Sequence, residues 1–443
     1  MKISFLGAVR EVGRSCFLVE VNGKNILLDC GINLGSALPE ERFPVGILKK
    51  AKQIDCIIVS HAHLDHSGYI PFLVDAGFTG SIYCTKPTRD LIHLLLSDAL
   101  KIAKEQKAEC YSNKSIEKTL EQVKLLGYRK RVEIFSGIFA EFFNAGHIPG
   151  SCMILLEGNG KKILYTGDFN IRETHLLPGA DIPSTEIDAL IMESTYGGKQ
   201  DNLPSLQSAS KELADIIKET FARNGNVLIP AFAVGRGQEV MFAVANYVRS
   251  NYLPKLNLFV DGMITRANRI CRHNVVWLKQ EIPNRILVAD DDPFKDPIIK
   301  KPKTLHKRDV LETENSVILA TSGMLTAGPS IKYFESMAED SRHCIVIAGY
   351  QVHGTLGRQL LDGEKDVELK NGKKIEVRCC VKQVKFSGHT DYKGLLEFVK
   401  KIKPKHVFLV HGEEQKGLEI AGEIEKKIKL KTMVPTLKET IEI

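Results

Sequence analysis

Between residues 61 and 66 the chain reads His61-Ala62-His63-Leu64-Asp65-His66, directly after the apolar run Cys56-Ile57-Ile58-Val59-Ser60. No other stretch narrows the choice of fold as much. A short apolar run closed by polar residues is the pattern of a buried strand, and the end of a buried strand is a rigid platform. Three imidazoles and a carboxylate packed into six residues offer nitrogen and oxygen donors of the kind zinc accepts. His61 and His63, two apart in an extended turn, point the same way, whereas Asp65 and His66 enter the next helix and reach the other side. One hexapeptide can thus serve two metals. A lone histidine is more often a surface or hydrogen-bonded core residue. Four donors crowded together without a cation, by contrast, would cost desolvation and repulsion that nothing offsets.

The fold must then bring further donors to this strand end. Three stand at the ends of other predicted strands, each beside or near glycine: His147 in Ala145-Gly146-His147-Ile148-Pro149-Gly150, Asp168 in Tyr165-Thr166-Gly167-Asp168, and His411 in Val410-His411-Gly412. Glycine lets backbones approach closely, so these loops suit ligands.

Around these points the chain has two textures. Strands are expected over 2–7, 16–21 and 25–29, the last two joined by the hairpin signal Asn22-Gly23. Further strands follow over 55–60, 132–135, 140–144, 153–156, 162–166 and 189–193, with helices over 69–76, 88–108 and 115–126. From about 206 the pattern becomes a regular helix–strand alternation, as in a parallel sheet with crossover helices. The expected division is therefore 1–203 and 361–443 for one domain, with 204–360 inserted into it. A strand over 381–386, a helix over 392–401 and a strand over 406–410 carry His389 and His411 and are assigned to the first domain.

At 443 residues the chain exceeds one ordinary core, and 43% hydrophobic residues suffice to fill two. Its apolar runs fall far short of the ~20 residues of a membrane span, and the start turns polar at Arg10-Glu11 before a signal region can form. A cytoplasmic protein is expected. Ten cysteines without a C-x-x-C pair fit neither a disulfide scaffold nor a cysteine zinc ribbon. The net charge of +7 suits an anionic partner.

His61, His63, Asp65 and His66 match the H-x-H-x-D-H signature, and in this the chain resembles the metallo-β-lactamase superfamily. Glu193-Ser194-Thr195-Tyr196, Ser387-Gly388-His389-Thr390-Asp391 and His411-Gly412-Glu413 look like the extra motifs of the β-CASP nucleases. Gly235-Arg236-Gly237-Gln238-Glu239, Ser322-Gly323-Met324 and Gly349-Tyr350-Gln351 resemble the nuclease subunit of the cleavage and polyadenylation specificity factor and its prokaryotic relatives. No separate nucleic-acid-binding domain is expected before or after the catalytic unit, unlike the archaeal relatives with KH domains.

The resemblance implies an α/β fold, an αββα metallo-β-lactamase sandwich with an inserted α/β β-CASP domain. It implies two zinc ions, one held by His61, His63 and His147, the other by Asp65, His66 and His411, with Asp168 bridging. Asp29 would orient the histidine loop. Such a pair lowers the pKa of a shared water and clamps a phosphate oxygen. His389, supported by Glu193, is the expected general acid for the departing 3′-oxygen, and Asp65 counts with the catalytic group as well as with the ligands. Arg236, Ser322, Gly323 and Arg358 are the expected contacts to substrate phosphates. Single-stranded RNA is the implied substrate and a homodimer the implied assembly. Endonuclease and 5′-to-3′ exonuclease action both stay open, with endonuclease preferred. Two other readings use the same residues: a thioesterase or lactonase, against which the inserted unit and the Glu193 and His389 pair argue, and a non-catalytic RNA-binding subunit, against which the full ligand set argues.

Overall fold

A computed structural model describes the chain except residues 37, 106, 109, 303–306 and 353. It forms two compact units, one of Met1–Glu173, Pro178–Asn202 and His389–Ile443, the other of Thr174–Leu177 and Leu203–Gly388.

The first unit is an αββα sandwich. One seven-stranded sheet runs in the order Thr440–Glu442, Lys2–Gly7, Cys16–Val21, Lys24–Leu28, Cys56–Ile58, Ser81–Cys84, Val123–Leu125. The other runs Lys431–Met433, His406–Val410, Ala189–Glu193, Lys161–Tyr165, Cys152–Gly158, Ile138–Asn144, Val132–Phe135. Period-two alternation explains the layers. Ile3, Phe5, Phe17, Val19 and Ile58 from the first sheet share a core with Ile154, Ile163, Tyr165, Ile191 and Phe408 from the second. Phe17 bridges the layers, with its ring centroid 5.9 Å from Phe5 and 5.3 Å from Tyr165. The alternate residues Leu164, Leu190, Val407 and Leu409 face outward, onto Leu395, Phe398, Val399 and Ile420 of helices Tyr392–Ile402 and Glu414–Ile428.

The Asn22-Gly23 turn has both residues at positive φ, 49° and 70°, as a tight hairpin requires. The helix expected over 115–126 ends instead at Glu121, and Val123–Leu125 forms an edge strand parallel to Ser81–Cys84. Val123 and Leu125 extend the helical apolar spacing, yet two residues apart they also satisfy a strand, and the free sheet edge decides between the two readings.

The second unit holds a parallel sheet in the order Ile299–Lys300, Asn257–Asp261, Ser316–Ala320, Val227–Pro230, Cys344–Ile347, Cys380–Gln383. The last strand lies beyond the expected boundary at 360. Cys380–Gln383 pairs with Cys344–Ile347, so 361–388 builds the second unit, and the chain rejoins the first only at His389. All ten cysteines are free, and all but Cys110 and Cys380 are buried. Among the described residues no helix is long and apolar enough to cross a membrane.

Candidate active site

Strand Cys56–Ile58 delivers the hexapeptide, and backbone hydrogen bonds fix its shape. Ser15 N donates to Asp65 O (2.8 Å), Cys30 N to His66 O (2.8 Å) and Ile32 N to Leu64 O (2.9 Å). Gly31 makes this contact possible, because a Cβ there would lie 1.7 Å from the Asp65 carbonyl oxygen. The other donors arrive on neighbouring loops. Gly167, with φ 53°, sets Asp168 beside the histidine loop, since a Cβ on it would meet Ser60 Cβ at 2.6 Å. His411 follows strand His406–Val410 in the left-handed region (φ 49°), held by its own N–H on Ala8 O at 2.7 Å.

These loops converge into two groups of four ligand atoms, His61, His63, His147 and Asp168 in one and Asp65, His66, Asp168 and His411 in the other, the atoms of each group within 4.8 Å of one another. Asp168 is common to both. Its Oδ2 lies 3.6 Å from His61 Nε2 and 3.7 Å from His147 Nε2, and its Oδ1 lies 3.4 Å from His66 Nε2 and 3.2 Å from His411 Nδ1. Every metal ligand expected from the sequence is thus brought together.

The donor set fits cations. His61 Nε2, His63 Nε2 and Asp168 Oδ1 are buried with no hydrogen-bond partner, an expensive arrangement unless something else satisfies them. Burial holds the His61 and His63 imidazoles below their usual pKa, in the neutral form a metal needs. Burial would raise Asp65, but His66 and then His411 outweigh it and keep its carboxyl ionised. A cluster of imidazoles around ionised carboxylates is what divalent metals hold.

Behind the ligands sits Asp29. Its Oδ1 accepts from Ser60 N (2.7 Å), and its Oδ2 from Ser60 Oγ (2.6 Å) and Tyr165 OH (2.7 Å), with His66 Nδ1 at 2.7 Å, all buried. With Nδ1 directed at Asp29, His66 turns Nε2 towards Asp168, with Ser15 Oγ at 3.3 Å. Burial, then the adjacent Asp29 charge, pushes the Tyr165 hydroxyl well up, so it stays a donor. Tyr165→Phe is expected to weaken metal affinity by about tenfold without unfolding the chain. Competition against a chelating dye measures this, and unchanged affinity would show that Asp29 needs no such support. Tyr165 escaped the sequence reading, although its inward place, two residues beyond Ile163, was available from strand period.

Beside the first group, His389 Nδ1 lies 2.9 and 3.1 Å from the carboxylate of Glu193, which is 1% exposed, and the His389 ring centroid is 4.6 Å from that of His147. Glu193 Oε1 also accepts from Phe169 N at 2.7 Å. Thr195, unforeseen, holds its Oγ1 3.3 Å from His411 Nδ1.

In the second unit, Ser322 and Gly323 follow strand Ser316–Ala320. A Cβ on Gly323 would lie 2.9 Å from Phe232 N, and Gln351 Nε2 donates to Gly323 O at 3.1 Å. Arg236 opens helix Arg236–Arg249 and passes beside Gly349. Arg358 differs from these, because its Nε is engaged by the Asp362 carboxylate at 2.9 and 3.0 Å on an exposed helix face. Ser322 Oγ accepts from Thr326 N (3.0 Å) within its own turn.

Three family descriptions match successive parts of the chain: the metallo-beta-lactamase superfamily over residues 9–219, the Beta-Casp domain over 237–360, and the Zn-dependent metallo-hydrolase RNA specificity domain over 374–435. The chain is 38% identical to an RNase J-like protein of Methanocaldococcus jannaschii, covering 98% of this chain and 97% of that one. It is also 38% identical to transcription termination factor FttA of Methanothermobacter thermautotrophicus, across 100% of this chain and 72% of that protein. A solved structure from Enterococcus faecalis V583, of a protein of unknown function, shares the fold with a TM-score of 0.60 at 15% identity, covering 99% of each chain.

Proposed function

The chain belongs to the metallo-β-lactamase superfamily, in the branch that carries a Beta-Casp domain, and from that premise we propose that it is a zinc-dependent ribonuclease that hydrolyses phosphodiester bonds of single-stranded RNA. The observation that carries the reading is the pair of four-donor groups sharing Asp168, with the Glu193 and His389 pair beside them. His61, His63 and His147 would hold one zinc ion and Asp65, His66 and His411 the other, with Asp168 common to both groups. Bound zinc supplies Lewis acidity that makes water nucleophilic near neutral pH and draws charge from the phosphate.

The rest is done by the chain. Asp29 fixes the tautomer of His66. Glu193, through Nδ1, orients the His389 ring and favours its protonated form, which leaves Nε2–H to protonate the departing 3′-oxygen. That oxygen is a poor leaving group without a proton, which is why a phosphodiesterase gains from this pair and a thioesterase gains little. Arg236, Ser322, Gly323 and Arg358 bear on the substrate's phosphates, Arg358 after leaving Asp362. The RNA specificity match and the RNase J-like relative support RNA as the substrate. We place the protein in the cytoplasm, in RNA processing or decay, and as a homodimer. A second reading, a part in transcription termination, is favoured by the 38% identity to factors of that name and would use the same site.

Incubation of the zinc-loaded protein with 5′-labelled single-stranded RNA is expected to yield internal fragments, which marks endonuclease action. Mononucleotides alone from the earliest times would replace that with a 5′-to-3′ exonuclease. Intact RNA, with two zinc ions bound, would overturn the ribonuclease.

A further inference from the structure

His389 is the first residue of the first unit after the chain leaves the second at Gly388. Glu193 and the residues that follow His389 help hold it in the first unit. Thr390 N donates to Phe169 O (2.8 Å), and Thr390 Oγ1 accepts from Ile171 N (2.9 Å). Asp391 caps helix Tyr392–Ile402, its Oδ1 accepting from Gly394 N at 3.0 Å, while its Oδ2 takes the Arg172 guanidinium. The segment 169–172 is thus tied to both ends of the pair, to Glu193 through Phe169 N and to the His389 loop through Ile171 and Arg172. The contact is close. A Cβ on Gly394 would lie 2.5 Å from Thr390 Cγ2 and 3.0 Å from Ile171 Cδ1.

We infer that Arg172 and Asp391 form a latch that sets the position of His389, so that Arg172 is a positioning residue for proton delivery although it touches no reacting atom. The charge pair is the lever. Asp391 has a side chain 2% exposed, whereas that of Arg172 is 44% exposed. Without that cation the buried carboxylate loses its ion-pair partner and is drawn towards water, and it would take the adjoining Thr390 and His389 with it. A shift of about 1 Å in a proton donor is enough to cost about a hundredfold in rate.

The inference rests on the ribonuclease reading for its kinetic consequence, and two measurements keep the two apart. Arg172→Ala and Asp391→Asn are made in the full chain, the latter keeping an oxygen for the helix cap. On single-stranded RNA Arg172→Ala is expected to lower kcat by about 10- to 100-fold with KM within about twofold, and Asp391→Asn, which leaves no buried charge to expel, by a smaller factor. On bis(p-nitrophenyl) phosphate, whose leaving group departs without a proton, the rate is expected to hold within about twofold. Zinc content stays at the wild-type level while the melting temperature of Arg172→Ala falls, as loss of one partner of a buried pair requires, and Arg172→Lys, which keeps the cation, restores most of the RNA rate. Equal losses on both substrates, or losses that track zinc content, would make the pair merely structural and overturn the latch, as would an unchanged RNA rate. The second measurement needs no activity: a crystal structure of Arg172→Ala, which leaves the Asp391 carboxylate in place without its cation, should show His389 withdrawn from Glu193. If wild type failed to cut RNA while this displacement appeared, the ribonuclease would fall and the latch would stand. His389 still hydrogen-bonded to Glu193 would sink the latch whatever the activity.

Discussion

Asp168→Asn is expected to strip the chain of bound zinc below two ions and to lower RNA cutting by at least about a thousandfold. The substitution keeps size and shape but replaces one carboxylate oxygen by an amide that can only donate. Both oxygens are in use: Oδ2 faces His61 and His147, and Oδ1 faces His66 and His411. No rotamer of asparagine serves both sides, so one group loses its shared donor and its charge. The stability effect follows from linkage. A ligand at about a thousand times its dissociation constant stabilises the folded state by about 4 kcal/mol, and chelation should remove that contribution from wild type. Asp168→Asn should therefore melt near the chelated wild type and respond little to added zinc. Mass spectrometric metal analysis and calorimetry check both halves. Two zinc ions retained, with cutting intact, would mean that Asp168 does not bridge.

What could be read in advance, and what could not, divides by the range of the interaction. The hexapeptide announces itself because its chemistry is local: the donors are neighbours in sequence, and the strand before them is apolar throughout. His147, Asp168 and His411 were legible for a related reason, each standing at a strand end beside or near a glycine whose close packing is now visible, as at Gly167 against Ser60. The αββα sandwich was legible through family resemblance rather than periodicity. The pairings that shape the site were not. Tyr165 meets Asp29 across 136 residues and Arg172 meets Asp391 across 219, and nothing local marks a tyrosine or an arginine as one half of a pair. Edge strands such as Val123–Leu125 and Thr440–Glu442 are three residues long and mostly exposed, too short for a period to declare itself. The second unit's sheet runs past the expected boundary at 360 because a strand joins whichever sheet has a free edge, and Cys380–Gln383 found one there before the chain turned back.

Glu193 has two duties, and separating them gives the other large effect. One oxygen accepts from Phe169 N at 2.7 Å, next to Asp168, while both lie within 3.1 Å of His389 Nδ1. His389→Ala removes only the proton donor, so kcat on RNA should fall by about 10²- to 10⁴-fold with zinc retained. Glu193→Gln keeps an oxygen for the Phe169 amide but gives up the charge that favours the imidazolium. It should lower kcat by a smaller factor, again with zinc retained. Glu193→Ala goes further, because it orphans a buried N–H, at a cost of about 1–3 kcal/mol, on the loop that presents Asp168. Zinc affinity and melting temperature should fall together with activity in that variant alone. The double variant Glu193→Gln with His389→Ala should cut no more slowly than His389→Ala, since two members of one unit cannot both be lost twice. Additive losses in that cycle, measured by single-turnover cutting of labelled RNA, would show that Glu193 acts on the phosphate by a route of its own and that His389 does not depend on it.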